Sequence, residues 1–527
     1  MSPSAAPPAD SPSDLQSALA RIAALENQIA SLKLQQSQPQ STQQPQKADV
    51  SLEDLPDYVD EEPPLLHTTS ADAFETLELK VYAYSALSDK HKHTLYKRPV
   101  MNTQQIMDRV KPIIDDVKTR GDAAIIDATK KFDGVDLVET AHVRSSPTHT
   151  VMRAPYPAEI IARVPPETRA ALDVAFDNIK KFHEAQVEWG VSSVETMEGV
   201  SCSRFPTPIT RVGLYVPGGT AVLPSTALML STPALVARVP HIVLATPPRR
   251  DGSVCPEVVY VAAKAGVEAI LVAGGAQAVA ALAYGTQTVP KVDKIFGPGN
   301  QYVTAAKLVA QNDFSCLVSA DLPAGPSEVL VICDSTVPPA HVALDLLSQA
   351  EHGADSQAVL LTVGADDAYV ARVVRAVQEE GAKLPRNKIL RESVSKSYVV
   401  RCETVQEAFE FSNGYAPEHL VVNVRGVGVD VVAREVKNAG SVFVGRWAPV
   451  SCGDYASGTN HTLPTYGYAR SYSGLGTGAF LKYVTVQSLT YAGLKELGKS
   501  VIRLADVEEL KAHGESVRVR IEGGEYD

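Results

Sequence analysis

The segment Val212-Gly213-Leu214-Tyr215-Val216-Pro217-Gly218-Gly219-Thr220 decides the fold of this chain. Apolar residues of a short strand run into a proline and two glycines, and a helical pattern follows through Ala237. The same order recurs where Ala269–Val272 leads into Gly274-Gly275-Ala276-Gln277, and where Lys294–Phe296 leads into Gly297-Pro298-Gly299-Asn300. Strands that alternate with helices at this spacing predict a parallel sheet covered on both faces.

A second series of alternating elements follows the first. It predicts strands at 329–333, 358–362, 397–401 and 420–424, and helices at 340–351, 367–380, 404–412 and 429–438. Upstream, helical spacing runs from Asn102 to Phe132, with a break at 120–122, and again from Pro157 to His183. The sequence therefore predicts two α/β units.

The three glycine turns have two interpretations. Glycine lets the backbone approach a phosphate, and the next helix N-terminus can bind it, as in dinucleotide sites. None of the turns matches G-x-G-x-x-G, so each one alone is also compatible with a tight strand–helix connection. Three in succession, beside Tyr215, Gln277 and Asn300, favour a nucleotide-binding unit of altered form.

Composition excludes several classes of protein. The 527 residues carry a formal net charge of -12, which argues against a nucleic-acid partner. The six cysteines are widely separated and form no C-x-x-C pair, so neither a thiolate zinc site nor a disulfide framework is expected. We find no secretory or transit signal and no apolar run long enough to span a bilayer. A cytoplasmic protein is the expectation.

The N-terminal region differs in composition from the rest of the chain. Residues 1–12 are rich in Pro, Ala and Ser, and residues 37–65 are first Gln/Pro-rich and then acidic, which predicts disorder and a linker. Between them, residues 13–36 place Leu15, Ile22 and Ile29 seven apart. This spacing predicts a short coiled-coil-like helix, and an isolated amphipathic helix that frays is the alternative.

The segment Leu346–Gly353 contains a candidate metal site. Gln349 and His352 are three residues apart, so they share one face of a helix. With Asp454 and His513, they would supply the nitrogen and oxygen donors that catalytic zinc prefers. These residues are distant in sequence, and a single histidine is also compatible with a structural role.

Two further segments contain candidate catalytic groups. Glu418-His419 places a carboxylate beside an imidazole after Pro417, so one group could activate water while the other moves protons. Asp454 and His461 flank a glycine-containing loop that could direct both into one pocket. An incidental Glu-His at a strand boundary and a polar Ω-loop are the respective alternatives.

From about Arg98 to Val519, the chain resembles the histidinol dehydrogenase family, most closely its fungal members. The matching segments are Gly213–Gly219, Gly274–Ala278, Phe296–Asn300, Pro323–Glu328, Ser348–Gly353, Ala416–Leu420 and Gly453–His461. The resemblance implies a zinc-dependent oxidation of L-histidinol through L-histidinal to L-histidine, the last steps of histidine biosynthesis, with two NAD reduced in turn.

The resemblance also assigns residues to roles. It implies one zinc ion per site, bound by Gln349, His352, Asp454 and His513, and an acid/base pair of Glu418 and His419. The implied substrate contacts are Ser225, Ser327, His461 and Glu508. The implied NAD contacts are Tyr215, Gln277 and Asn300. The family is a homodimer whose C-terminal tail crosses to the partner, so Glu508 and His513 would serve the other subunit's site.

The expected architecture is an α/β fold with two incomplete Rossmann-like parallel-sheet domains and a C-terminal tail exchanged in a dimer. Residues 1–94 would form the extension, 95–214 with 329–472 the domain of the metal and acid/base residues, 215–328 the NAD domain, and 473–527 the tail.

Two departures from the family pattern leave alternatives open. Val450 stands where the family usually has Glu, and Gly514-Glu515-Ser516 replaces a basic residue and an asparagine. Val450 is the best argument for a paralogue that uses the same zinc/NAD chemistry on another small amino alcohol or diol. A catalytically inactive scaffold that binds through the N-terminal helix is the third possibility, and the intact Glu-His pair argues against it.

Overall fold

The computed structural model describes residues 62–69, 79–98, 103–138, 150–218, 222–323 and 325–524. The predicted helix at 13–36 lies outside these residues. The α-helices are α1 (Asp89–Tyr96), α2 (Thr103–Arg120), α3 (Asp122–Phe132), α4 (Ala158–Ile161), α5 (Pro166–Glu184), α6 (Pro224–Val236), α7 (Pro256–Lys264), α8 (Gly275–Tyr284), α9 (Gln301–Gln311), α10 (Pro339–Ala350), α11 (Asp367–Lys383), α12 (Asn387–Val394), α13 (Val405–Tyr415), α14 (Val429–Glu435), α15 (Val450–Tyr455), α16 (Tyr491–Val507) and α17 (Lys511–Glu522).

The strands form three sheets within the described residues. They are β1 (His67–Thr69), β2 (Leu79–Ala83), β3 (Val151–Arg153), β4 (Ser192–Met197), β5 (Val200–Pro208), β6 (Arg211–Tyr215), β7 (His241–Thr246), β8 (Ala269–Val272), β9 (Lys294–Phe296), β10 (Ser319–Ala320), β11 (Glu328–Asp334), β12 (Gln357–Val363), β13 (Tyr398–Cys402), β14 (His419–Asn423), β15 (Ser441–Val444) and β16 (Leu481–Leu489). Short 3-10 segments lie at Tyr84–Ala86, Tyr468–Arg470 and Thr477–Phe480.

A seven-stranded sheet contains the second predicted series of strands. Its order is β1-β2-β13-β12-β11-β14-β15, and every pair from β2 to β15 is parallel. The prediction that residues 1–94 form only an extension is wrong for β2, which pairs with β13. Leu79 and Val81 of β2 are buried. The strand is too short to show a clear periodicity in the sequence, and its partner β13 lies more than three hundred residues away.

A six-stranded sheet contains the three glycine turns. Its order is β10-β9-β6-β7-β8-β3, parallel except for the antiparallel edge strand β3. The prediction that residues 95–214 belong with 329–472 is wrong for β3 and β6, which both lie in this sheet. Helix α2 also packs on this side, against α8 and α9. A domain boundary at 214 would cut β6 before its last residue, Tyr215.

The third sheet is antiparallel, with the order β16-β5-β4. Strand β16 pairs with β5 along its whole length, so the C-terminal region is attached to residues 200–208 of its own chain. Exchange of the tail between subunits stays a prediction.

Both parallel sheets are buried on their two faces, which explains the uninterrupted apolar sequence of their strands. Residues Val329–Cys333 of β11 are each at most 1% exposed. The core residues of the seven-stranded sheet alternate between two apolar clusters, with Val329 and Val331 in one and Leu330 and Ile332 in the other. Among the described helices, none is both long and apolar enough to cross a membrane.

Candidate active site

Helix α10 positions Gln349 at the edge of the seven-stranded sheet. Leu346 and Leu347 of this helix are buried in the core, which fixes the direction of its last turn. Gln349 in that turn is 1% exposed. The helix ends at Ala350, and the His352 backbone N–H donates to the carbonyl of Gln349 over 3.2 Å. His352 therefore lies in the turn after the C-cap Glu351, and the prediction that it shares a helical face with Gln349 is wrong.

Asp454 on α15 lies within hydrogen-bonding distance of two predicted site residues. Gln349 Nε2 donates to Asp454 Oδ2 over 3.0 Å, and His419 Nε2 lies 3.0 Å from Asp454 Oδ1. Burial lowers the pKa of His352, and the charge of the nearby Asp454 carboxylate offsets this effect only in part. The structure thus brings Gln349, His352, His419 and Asp454 together from three distant segments.

Glu418 and His419 are held by the backbone at the start of β11. Helix α13 ends at Tyr415, its C-cap Ala416 is a non-glycine residue in the left-handed region (φ 56°), and Pro417 then leads into Glu418. The Glu418 carboxylate accepts a hydrogen bond of 2.7 Å from the backbone N–H of Glu328, and His419 Nδ1 lies 3.1 Å from the Glu328 carbonyl oxygen. Glu418 Oε2 is also 3.4 Å from His419 Nδ1.

The carboxylates around His419 determine its charge. Burial lowers the pKa of the imidazole, but Glu418 and the hydrogen bond with Asp454 outweigh burial and raise the pKa well above its ordinary value. Burial also raises the pKa of Glu418, whereas the hydrogen bond from His419 holds the pKa of Asp454 below its ordinary value. Glu418 and Asp454 therefore stabilise the protonated imidazole of His419, which is the form that a base takes once it has removed a proton.

The loop after α15 brings His461 to the same cluster. His461 Nδ1 lies 2.8 Å from the backbone oxygen of Asp454, and its Nε2 lies 3.3 Å from Thr226 Oγ1 in the first turn of α6. Asn460, beside it, donates to the Met229 carbonyl over 2.6 Å and lies 3.5 Å from His183 Nε2. These hydrogen bonds hold the loop in place. The loop bends sharply, as predicted, and brings His461 next to Asp454.

The donors at Asp454 fit a zinc ion. Gln349 Oε1 is buried and accepts no hydrogen bond, which leaves an amide oxygen free beside the Asp454 carboxylate. With the His352 imidazole, this gives the mixture of oxygen and nitrogen ligands that zinc binds. Across the described residues, no group of three or more His, Cys, Asp or Glu side chains is arranged to hold a metal ion.

His513 and Glu508 lie on the C-terminal helices and are exposed. Glu508 caps the end of α16, and the His513 backbone N–H donates to the Leu510 carbonyl at the start of α17. The hydrogen bonds that surround Asp454 in the described chain do not include either side chain. Within one chain, the structure does not bring these two predicted residues to the site.

The two predicted serines lie next to residues of the cluster. Ser225 is in the first turn of α6, beside Thr226, and Ser327 directly precedes Glu328. Both are partly buried. Their role in substrate binding stays a prediction.

The predicted NAD residues lie at the carboxyl ends of parallel strands in the six-stranded sheet. Tyr215 ends β6, Gln277 is in the first turn of α8, and Asn300 precedes α9. In open α/β sheets this edge is where nucleotides bind. Tyr215 and Gln277 are almost fully buried, at 4% and 2% exposure.

These residues also have structural contacts. The Tyr215 hydroxyl accepts from the Gly275 backbone N–H over 3.0 Å, and burial raises the pKa of this hydroxyl to about 12. Asn300 caps α9, since its side-chain oxygen accepts from the backbone N–H groups of Tyr302 and Val303. Two of the glycine turns pack against Pro247: a Cβ at Gly218 would lie 2.5 Å from Pro247 Cγ, and a Cβ at Gly274 would lie 2.9 Å from Pro247 Cβ.

Sequence reasoning assigned no role to Glu328, Arg98 or Thr226. Glu328 was part of the matching segment Pro323–Glu328, but a glutamate that opens an apolar strand also has an ordinary interpretation as a strand boundary. Its buried carboxylate forms a two-bond ion pair with Arg98, which the structure alone reveals. Thr226 directly follows the predicted site residue Ser225, and this adjacency is the one feature of the sequence that could have pointed to it.

Comparison with known proteins identifies the family of this chain. A family model described as histidinol dehydrogenase matches residues 96–521. The chain is 53% identical over 444 residues to the histidinol dehydrogenase of Schizosaccharomyces pombe, covering 84% of this chain and 98% of that protein. It is 52% identical to the histidine biosynthesis trifunctional protein of Komagataella pastoris, covering 85% of this chain but only 51% of that longer protein.

A solved structure shows the same fold. The crystal structure of histidinol dehydrogenase from Elizabethkingia anophelis has a TM-score of 0.78 and 42% identity, covering 84% of this chain and 98% of that one. Two parallel sheets and a buried carboxylate–imidazole cluster define an α/β enzyme equipped for acid–base chemistry. The chain belongs to the histidinol dehydrogenase family and is an oxidoreductase.

Proposed function

We propose that this chain oxidises L-histidinol to L-histidine through L-histidinal, with NAD as the electron acceptor and one zinc ion in each site. The observation that carries the proposal is the buried His419, fixed between the Glu328 carbonyl, Glu418 and Asp454. The name and high identity of the S. pombe relative, which the chain covers almost completely, support the same substrate.

The proposal assigns the zinc ligands and the NAD contacts to particular residues. Gln349, His352 and Asp454 would hold zinc with His513 of a second copy, while Tyr215, Gln277 and Asn300 would face NAD. When bound, zinc supplies a Lewis acid that lowers the proton affinity of the alcohol, and NAD supplies the hydride acceptor.

The chain's own residues manage the protons. In the first oxidation, His419 removes the alcohol proton, since its two flanking carboxylates stabilise the imidazolium that forms. Glu418, held by the Glu328 N–H, then takes a proton from the water that attacks the aldehyde, and a second oxidation gives the carboxylate. Ser225, Ser327, His461 and Glu508 would orient the substrate, and the enclosed site would keep the aldehyde from side reactions in water.

The proposal includes a homodimer with shared sites. The outward faces of α16 and α17 carry exposed apolar side chains, with Leu504 62%, Val507 66% and Val519 56% exposed. Such a surface favours association with another protein surface. A second copy would cover it and would also bring Glu508 and His513 to a neighbouring Asp454.

The alternative substrate rests on Val450, and the structure weakens it. Val450 is fully buried in the apolar core that also contains Leu346 and Phe443. The side chain therefore contributes to packing of α15 and not to the polar cluster. Glu515, in the second departure, is exposed and forms a local ion pair with Arg518.

Turnover of purified protein with zinc and NAD tests the proposed function. L-histidinol should give two NADH for each molecule consumed, with L-histidine as the product. No turnover of L-histidinol, together with turnover of another small amino alcohol or diol, would replace this proposal with the paralogue alternative.

A further inference from the structure

A buried ion pair lies directly behind the Glu418–His419 pair. Arg98 Nε donates to Glu328 Oε1 over 3.0 Å, and Arg98 Nη2 donates to Glu328 Oε2 over 2.9 Å. The two side chains are only 5% and 3% exposed. This is the planar two-bond geometry that only arginine offers to a carboxylate.

The guanidinium is fixed on its other sides as well. Arg98 Nη1 donates to the Tyr96 carbonyl over 2.7 Å, and the guanidinium carbon lies 3.5 Å from the centre of the Tyr415 ring. The Tyr415 hydroxyl in turn donates to Gln357 Oε1 over 2.7 Å. Tyr415 is the last residue of α13, so Arg98 also contacts the helix that leads into Glu418.

Glu328 connects this ion pair to the acid/base pair. Its backbone N–H binds the Glu418 carboxylate, and its carbonyl oxygen binds His419 Nδ1. Its side chain also accepts a bond of 2.8 Å from the backbone N–H of Tyr466, a residue in the left-handed region (φ 55°). One residue thus joins β11, β14 and the loop at 466.

We propose that Arg98 and Glu328 are positioning residues for Glu418 and His419. The two-bond ion pair locks the Glu328 side chain, and the locked residue presents its N–H to Glu418 and its carbonyl to His419. The carbonyl contact fixes the orientation of the imidazole at Nδ1, so that Nε2 points to Asp454 in the proposed metal site. The inference rests on the proposed role of His419 as the base.

Neither residue touches the reacting atoms in this arrangement. A displaced base costs rate without weakening substrate binding, and a shift of about 1 Å is enough for about a hundredfold loss. Arg98→Met should therefore lower kcat by about a hundredfold while KM for L-histidinol and NAD and the zinc content stay unchanged. Arg98→Lys keeps the positive charge but cannot make both hydrogen bonds to the Glu328 carboxylate, so its kcat should lie between those of Arg98→Met and the wild type.

The matched control is Arg120→Met. Arg120 makes the same two-bond contact, 2.7 and 2.6 Å, with Asp116, but both residues are exposed on α2. This variant should keep wild-type kcat. If neither the wild type nor Arg120→Met turns over L-histidinol, the proposed function itself fails, and the inference fails with it.

Arg98→Met leaves a buried carboxylate without its partner, which can prevent folding. The double variant Arg98→Met/Glu328→Met removes both charges and should fold, because apolar replacement of a whole buried pair is tolerated. Positioning predicts that this folded variant keeps the low kcat. A return to wild-type kcat would show that the pair serves stability alone.

A double-mutant cycle gives the sharpest test. On the Glu418→Gln/His419→Asn background there is no acid/base pair left to position, so adding Arg98→Met should leave the residual kcat unchanged. A further fall of the same size as in the wild-type background, or an active Arg98→Met enzyme with wild-type kcat, would overturn the inference.

Discussion

Asp345 on α10 lies four residues before Gln349, and it ties this helix to the helix that carries Asp454. Its carboxylate accepts a hydrogen bond from the backbone N–H of Val450, the first residue of α15. Burial raises the pKa of Asp345 from 3.8 to about 6, an effect that the bond from Val450 only partly offsets. We expect Asp345→Asn to change the pH dependence of stability, because an amide keeps the acceptor oxygen but cannot ionise.

The sign of the effect follows from proton binding. The folded protein holds the Asp345 proton more tightly than the unfolded chain, so the wild type loses free energy of unfolding as the pH rises from 3.8 through about 6. Two pKa units correspond to about 3 kcal/mol. Because the side chain is only partly buried, we expect about 1–2 kcal/mol after solvent screening.

Urea unfolding of the wild type and Asp345→Asn, followed by circular dichroism at fixed ionic strength, measures this difference. The variant should gain about 1–2 kcal/mol relative to the wild type between about pH 4 and about pH 7.5. Asp430→Asn, on the exposed first turn of α14, controls for an acid-to-amide change at the surface. A difference that does not vary with pH, or that grows towards acid, would refute the reasoning.

Three further predictions concern the metal site, the core and the subunit arrangement. Asp454→Asn should lower both the zinc content and kcat, the latter by about a hundredfold or more; full zinc retention, measured by atomic absorption, would contradict its role as a ligand. Phe480→Ala should lower the free energy of unfolding by about 3–5 kcal/mol, because its fully buried ring stacks on Phe296 at 4.1 Å between centroids; a loss below about 1 kcal/mol in urea would exclude this packing role. Refolding a mixture of inactive His419→Asn and His513→Ala chains should recover activity, since mixed dimers contain one intact site; a mixture that stays inactive would place His513 outside a shared site.

The two parallel sheets were readable from the sequence because their strands are buried on both faces. Uninterrupted apolar runs separated by helical spacing predicted β11 to β14 and the helices α10, α11, α13 and α14 within a few residues of their bounds, but not α12. Strands β4, β5 and β16 escaped prediction, as their residues are largely exposed or half-buried and their pairing joins residues 200–208 to 481–489. Such long-range pairing is invisible to a local pattern.

Part of the candidate site could be predicted because some of its residues are close together in the sequence. Gln349 and His352 lie three residues apart, and Glu418 and His419 are adjacent, so local spacing predicted each pair. That both pairs meet at Asp454 follows from the fold, since 35 residues separate His419 from Asp454. The Arg98–Glu328 pair spans 230 residues, and no local signal connects the two.

The His419→Asn variant tests the central claim most directly, that a buried imidazole between two carboxylates is the base of histidinol oxidation. With L-histidinol, NAD and zinc, the wild type should form two NADH per substrate, and the variant should lose about 10²–10⁴-fold in kcat while it stays folded and keeps its zinc. A folded, zinc-loaded His419→Asn enzyme with wild-type kcat would contradict the account.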